Sequence, residues 1–324
     1  MPPAKIMIVV LNWNGYTDTL ECLHSLDKIS YPNYGIVVVD NGSSNDSVQK
    51  IREAFPKIPI LEMDQNHGFA GGNNPGIEWA LDHHAEWVLL LNNDTVVAPD
   101  FLEHLMAAAK EKPLAGVLGG KILRYQTDVI DHLGGYWDEK KGEFFSAHTG
   151  SQDHPYFEME AADYVCGACM LIRKECLERV GFLEPRFFLF WEETDFCYRA
   201  QRAGWEVWTA PKAKIWHKVS SSFIGGKPHM HYFWWRSRLL WMARNCSIEE
   251  KRALYRQIIV PQAIKMARYF LIKSILFVFD RQEKKREEIR RYRAGCRGIF
   301  DYWRGSFGNC PHWLVKETSH NHSR

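Results

Sequence analysis

Along the first third of the chain, short apolar runs alternate with stretches whose apolar positions recur at helical spacing. Lys5 to Leu11 reads as a strand and Tyr16 to Asp27 as a helix with one apolar face. Ile36 to Asp40 is a second strand, followed by Asn41-Gly42-Ser43-Ser44-Asn45-Asp46, a turn that can cap a helix running to about Phe55. Ile58 to Met63 and Trp87 to Leu91 read as further strands, with helices over Asn73 to His83 and Pro99 to Lys110. Unbroken apolar runs mark strands buried on both faces. Strand and helix in strict alternation predict an α/β fold, a parallel sheet covered by helices on both sides.

Sheets of this kind bind ligands at the carboxyl ends of their strands. Asn12-Trp13-Asn14, Asp40-Asn41-Gly42-Ser43, Asn66-His67-Gly68 and Asn92-Asn93-Asp94 each follow a predicted strand, so one rim would gather all four. A lone Asp at a strand end is often only a cap, but four successive polar clusters favour a ligand site. Asn66-His67-Gly68-Phe69-Ala70-Gly71-Gly72-Asn73 lacks the Walker and dinucleotide patterns. It reads either as a flexible turn whose glycines supply positive φ or as backbone amides awaiting an anion at a helix start. Further on, Trp191-Glu192-Glu193-Thr194-Asp195 sets three acids behind an aromatic run, and Ile215-Trp216-His217 ends an apolar segment on a histidine. Acids at a helix start are favoured without any function, yet acids beside aromatics also acquire the raised pKa a base needs.

The formal net charge of +2 over 324 residues excludes a nucleic-acid coat, and 46% hydrophobic residues fall in the ordinary globular range. Met1-Pro2-Pro3-Ala4-Lys5 leads into an apolar run with no cleavage site, so the expectation is a cytoplasmic protein with its eight cysteines reduced. Cys166-Gly167-Ala168-Cys169 has the spacing of half a zinc site or a redox pair. The strand-like Met170-Leu171-Ile172 after it, and the lack of a second such pair, favour plain packing.

The ordered segments Val9 to Asn14, Val39 to Ser43, Asn66 to Asn73, Leu91 to Asp94, Phe187 to Asp195 and Ile215 to His217 resemble the inverting family 2 glycosyltransferases of the GT-A fold. They are similar to bacterial rhamnosyltransferases and galactofuranosyltransferases. The resemblance covers about two-thirds of the chain. It implies a GT-A nucleotide-diphospho-sugar transferase fold, with a mostly parallel sheet flanked by helices and a C-terminal helical region. It also implies hexosyl transfer from a nucleoside-diphosphate donor, dTDP-rhamnose or a UDP-sugar, to a hydroxyl of a glycan or lipid-linked acceptor in cell-surface polysaccharide synthesis.

By the same resemblance Asp40 reads the nucleobase or ribose with Asn12 beside it. Asn14, Asn66, Gly68, Gly72, Asn73, Asn92 and Asn93 complete the donor site. Asp94 is the last acid of the family's metal motif, here Asn92-Asn93-Asp94 with an amide in place of the first acid, and His217 completes the coordination of Mg²⁺ or Mn²⁺. Hard oxygen ligands suit Mg²⁺, whereas a histidine nitrogen is better tolerated by Mn²⁺. The acceptor hydroxyl needs a carboxylate base. The family's aspartate aligns with Glu193, one methylene longer, and Glu192 stays an alternative; Trp191 and Asp195 are expected on the acceptor side.

Beyond Gly225, His231 to Trp241 is aromatic and basic, a composition of membrane or carbohydrate surfaces. The segment after Pro261 carries Lys265, Arg268 and Lys273 among aliphatics, and no stretch reaches the roughly 20 apolar residues of a membrane span. The expected organisation is a catalytic domain over 1–225, a helical acceptor- or membrane-facing region over 226–305 and a poorly ordered tail over 306–324, peripheral on the inner face of the cell membrane. Two other classes remain open: a sugar nucleotidylyltransferase, whose basic glycine-rich loop is missing, and a non-catalytic nucleotide-sugar or glycan-binding protein.

Overall fold

Residues 2–218, 227–279 and 283–314 are described in a computed structural model of the chain. The chain runs β1 (Ile6–Asn12), α1 (Tyr16–Leu26), β2 (Tyr34–Asp40), α2 (Ser47–Ala54), β3 (Ile60–Glu62), α3 (Gly68–Asp82), β4 (Trp87–Asn92), β5 (Thr95–Val97) and α4 (Phe101–Glu111). There follow β6 (Ala115–Arg124), β7 (Ile130–His132), β8 (Tyr136–Asp138), β9 (Glu143–Phe145), β10 (Cys169–Arg173), α5 (Lys174–Val180), α6 (Glu192–Arg202) and β11 (Glu206–His217). Beyond β11 the described residues form α7 (Pro228–Asn245), α8 (Ile248–Leu254), α9 (Val260–Phe279) and α10 (Glu283–Trp303).

One sheet has the order β3-β2-β1-β4-β10-β6-β11-β5, with β7 added on β6. The run β3-β2-β1-β4 is parallel, as the alternation predicts, and so is β6 with β11. Strand β10 enters antiparallel between β4 and β6, and β5 lies antiparallel on β11, which makes the sheet mixed. Alternate residues of each strand feed opposite cores. Ile6, Ile8, Val38 and Leu89 pack with Leu23 and Leu26 of α1 and Phe101 and Leu105 of α4. Val9, Val37, Val39 and Leu90 pack on the other side with Ile77 of α3 and Phe196 of α6. Each such side chain contributes roughly 1.5–3 kcal/mol on full burial, which fixes the register of strands that are apolar on both faces.

The helix expected from Asn73 starts five residues earlier. Gly68, at φ +75°, turns the chain, and Gly71, Gly72 and Gly76 then lie within α3 itself. Gly72 and Gly76 allow close packing. A Cβ on Gly76 would stand 2.4 Å from Val9 Cγ1, and one on Gly72 would stand 2.7 Å from Leu11 Cδ1. Backbone contact with β1 and β2 thus outweighs the low helix propensity of glycine.

The described residues divide into two compact units. The first comprises Met1–Asp138, Glu143–Glu184 and Glu192–Val219; the second comprises Glu139–Gly142, Pro185–Trp191 and Ser220–Arg324, each as far as it is described. In the second unit the aromatic and basic stretch of α7 lies inside rather than on a surface. Tyr232, Phe233, Trp235, Arg236, Arg238 and Trp241 are all buried. The buried guanidinium of Arg236 donates to the Gly308 carbonyl at 2.6 Å, and that of Arg238 donates to the Gly142 and Lys141 carbonyls at 3.0 and 2.7 Å. Of the segment expected to be poorly ordered, Cys310 and Leu314 are buried against Phe188, Tyr232 and Phe233; residues 315–324 lie outside the described residues.

Candidate active site

Strands β1 and β2 end side by side, with Asn12 opposite Asp40. Asn12 Nδ2 donates to Asp40 Oδ1 at 2.6 Å, while Ser43 donates through N and Oγ to Asp40 Oδ2 and Oδ1 at 2.9 and 2.6 Å. A buried carboxylate with three donors is held in one orientation. Asn14 joins this network by donating its backbone N–H to Ser43 Oγ at 2.8 Å and accepting from Ser44 N at 2.8 Å. Thr19 Oγ1 donates to Asn12 Oδ1, and Asn93 Nδ2 donates to Thr19 Oγ1, both at 2.9 Å. Asn12, Asn14, Asp40 and Asn93 are therefore one connected cluster. Trp13, half exposed, stands between Asn12 and Asn14.

The expected anion loop is occupied by its own side chains. Asn66 Oδ1 accepts from Gly68 N at 2.7 Å and from Asn41 Nδ2 at 3.1 Å, and Asn41 Oδ1 accepts from His67 N at 2.9 Å. This ties the start of α3 to the end of β2. Asn73 is buried, and its amide donates to Phe69 O one turn back in the helix. Gly72 packs against Leu11 and Asn41.

The end of β4 and the end of β11 converge through β5. His217 pairs with Thr95 across the β5–β11 ladder, and Lys218 N donates to Asp94 O at 2.9 Å. The register brings His217 Nε2 to 3.1 Å from Asp94 Oδ1, with Asn92 Nδ2 at 3.4 Å from the same nitrogen. On the other side of the ring, Asp131 Oδ2 of β7 stands 3.6 Å from Nδ1. Burial alone would lower the pKa of His217, but the carboxylates of Asp131 and Asp94 outweigh it and push the imidazole up to about 9. No three His, Cys, Asp or Glu side chains form a complete metal cage among the described residues. The pair of one carboxylate oxygen and one imidazole nitrogen still fits a divalent cation, provided the remaining positions come from a bound diphosphate and water.

Glu192 and Glu193 open α6; Glu192 is buried and Glu193 half-buried, and each has an Oε2 that is shielded from solvent and has no hydrogen-bond partner. Burial raises the Glu193 carboxyl to about 7. Glu192 is raised by burial and then by the charge of Glu193. Asp195 is fully buried and accepts from Arg199 Nε at 2.8 Å, while the same guanidinium donates to the carbonyls of Val180 and Phe182. That carboxylate locks the start of α6 rather than facing solvent. Trp191 belongs to the second unit, where its ring packs 5.7 Å from Trp241. Phe188, Phe190 and Trp191 all have positive φ, from 49° to 73°, a costly conformation for bulky residues. The Ser237 hydroxyl, pointing at the Phe187 and Leu189 carbonyls, holds this segment.

Cys169 is a buried strand residue whose thiol is pushed up to about 12 by burial, and Cys166 is raised by burial and then by the charge of Glu193, with Asp131 also adding. Cys166 is half-buried and Cys169 buried. Sequence reasoning missed Asp131 and Thr19, which the structure joins to His217 and to Asn12 and Asn93 respectively. Asp131 lies on a three-residue strand with no periodic signal, and Thr19 is buried inside a helix whose pattern shows only its apolar face.

The profile described as Glycosyl transferase family 2 matches residues 7–181, more than half of the chain. The chain belongs to this family, and it is a glycosyltransferase of the GT-A fold. A low-salt glycan biosynthesis hexosyltransferase of Haloferax volcanii is 27% identical over 200 residues, which are 61% of this chain and 62% of that protein. An N-acetylglucosaminyl-diphospho-decaprenol L-rhamnosyltransferase of Mycobacterium tuberculosis is 23% identical over 78% of this chain and 92% of its own length. Among solved structures, a mannosyltransferase of Pyrobaculum calidifontis in complex with GDP-Man and Mn²⁺ superposes with a TM-score of 0.58 at 15% identity, over 93% of this chain and 88% of that one. The family match ends before Glu192, Glu193 and His217, so their roles rest on the geometry.

Proposed function

We propose that this glycosyltransferase moves one hexosyl unit, with inversion, from a nucleoside-diphosphate sugar to a hydroxyl of a glycan or lipid-linked acceptor in cell-surface polysaccharide synthesis. The observation that carries the proposal is the meeting of Asp94 Oδ1 and His217 Nε2, 3.1 Å apart at adjoining strand ends. Those two atoms, with Asn92 beside them, would hold Mg²⁺ or, better suited to the imidazole, Mn²⁺. Such a cation offsets the charge that grows on a departing diphosphate.

Asn12, Asn14, Asp40 and Asn93 would orient the nucleoside, and half-exposed Trp13 offers a face for its base to stack on. Glu193 takes the proton of the incoming hydroxyl. Its carboxyl, pushed up to about 7, is half ionised near neutral pH and strong enough as a base to assist. The Mycobacterium relative's name favours a prenyl-diphosphate-linked acceptor and a rhamnosyl donor. Work at the inner face of a membrane, where such an acceptor is met, belongs to the same proposal. No helix among the described residues is long and apolar enough to cross one.

A thermal-shift screen against nucleoside diphosphates and their sugars, with and without Mn²⁺, followed by mass spectrometry of acceptor products, tests this. A stabilising diphosphate and a glycosylated product are expected. Turnover of a nucleoside triphosphate with a sugar phosphate would instead make it a nucleotidylyltransferase. Donor binding with neither transfer nor hydrolysis would make it a binding protein.

A further inference from the structure

One side of α9 is apolar where it should be polar. Val260, Ile264, Leu271, Ile272, Ile275 and Leu276 are 47% to 62% exposed. At 3.6 residues per turn they share an arc of roughly 180° with Lys265, Arg268 and Tyr269. The opposite arc seats on α10: Met266 is buried where a Cβ on Gly295 would meet its sulfur at 2.4 Å, and Lys273 Nζ pairs with Glu288 at 2.8 Å. A helix face left to water is ordinarily charged. Among the exposed described positions of α9, only Lys265 and Arg268 are.

Charge decides what covers this face. From Ser247 to Arg304, fifteen Lys and Arg stand against seven Asp and Glu, in a chain whose whole net charge is +2. The rest of the chain is therefore acidic, and a second copy docking face to face would bring two basic surfaces together. An anionic bilayer is attracted to such a surface and accepts aliphatic side chains.

We propose that the exposed arc of α9 docks on an anionic lipid bilayer. Its aliphatics enter the boundary between headgroups and acyl chains, and Lys265 and Arg268 extend along their stems to the lipid phosphates. This places the enzyme on the surface that carries a lipid-linked acceptor and to that extent rests on the function proposed above, but it does not need turnover to be tested.

The full chain is sedimented with vesicles of phosphatidylcholine alone or with phosphatidylglycerol added, at low and high salt. The parent should bind the anionic vesicles and lose affinity with salt. L271S/I275S, altered at exposed positions and checked for parental melting, should bind about tenfold more weakly or less. K265Q/R268Q should lose several-fold, on anionic vesicles only. Asp94→Ala, expected to be inactive in transfer, should bind vesicles like the parent, so failure of transfer and failure of docking are read separately. A parent that ignores anionic vesicles at low salt, or binds neutral vesicles equally well, overturns the proposal. So does L271S/I275S binding like the parent, or a parental dimer that this variant turns into a monomer.

Discussion

Glutamine at position 193 should give an enzyme that is slower and, above neutral pH, more stable. The Glu193 carboxyl is buried and raised from 4.5 to about 7, so between those values the folded protein holds a proton that the unfolded chain has released. For an acid raised in this way, the stabilising contribution is full below pH 4.5, declines as pH rises and is lost above 7. A gap of roughly 2.5 pH units, at 1.36 kcal/mol each, puts the cost of the ionised form on the order of 3 kcal/mol at pH 8. Glu193→Gln carries no charge, so it should recover much of that and show a flat stability profile across the window, read by urea unfolding at several pH values. Its chemistry should fall by about 10²-fold or more with donor affinity kept, because the amide is nearly isosteric but cannot take a proton. In the parent, kcat/KM should climb with pH to a plateau above 7, and that limb should vanish in the variant. Parental turnover with the limb intact refutes the assignment of the base. Parental stability at pH 8 refutes the buried, proton-holding carboxyl. Parental turnover in Glu193→Gln beside an inactive Glu192→Gln that still binds donor would hand the base role to Glu192.

Asp94→Ala should abolish Mn²⁺-dependent stabilisation by nucleoside diphosphates in a thermal-shift assay, and His217→Ala should weaken it roughly tenfold or more; parental behaviour of Asp94→Ala would remove the metal assignment. Trp13→Ala should cost about 1–3 kcal/mol of nucleotide affinity by calorimetry, the usual worth of a base stacked on an aromatic ring, and an unchanged Kd would exclude stacking there. Gly76→Ala should lower stability by about 1–3 kcal/mol, since its Cβ would sit 2.4 Å from Val9 Cγ1 and 2.9 Å from Val39 Cγ2. Chemical denaturation yielding parental stability would mean that α3 can shift at no cost.

Some of this was legible in the residues and some was not, for physical reasons. Strands buried on both faces must be apolar without alternation, so β1, β2 and β4 announced themselves, and the polar residues at their ends marked the rim. Helix α3 began earlier than expected because Gly68, Gly71, Gly72, Gly76 and Pro75 argue against a helix one residue at a time, while the contacts that favour it come from β1 and β2. The segment from His231 to Trp241 misled in the opposite direction. Arginine is normally a surface residue, and nothing local reveals that Arg236 donates to the Gly308 carbonyl and Arg238 to those of Gly142 and Lys141. Asp131 became visible only when β7 paired with β6 and brought it to His217.

The cysteines give the protein a practical property. Of the eight, Cys22, Cys169, Cys176, Cys197 and Cys310 are buried, and burial pushes Cys22, Cys169 and Cys176 up to about 12. Only about one in 10⁵ of such thiols is a thiolate at neutral pH, and the thiolate is the form that reacts with a maleimide or an iodoacetamide. The native chain is therefore nearly silent to alkylating dyes in its interior, and the three half-buried cysteines, Cys166, Cys246 and Cys296, are the first thiols to replace. Ile275→Cys, on the outward side of α9, would then carry a polarity-sensitive fluorophore that reports when that helix leaves water, without disturbing Asp94, His217 or Glu193.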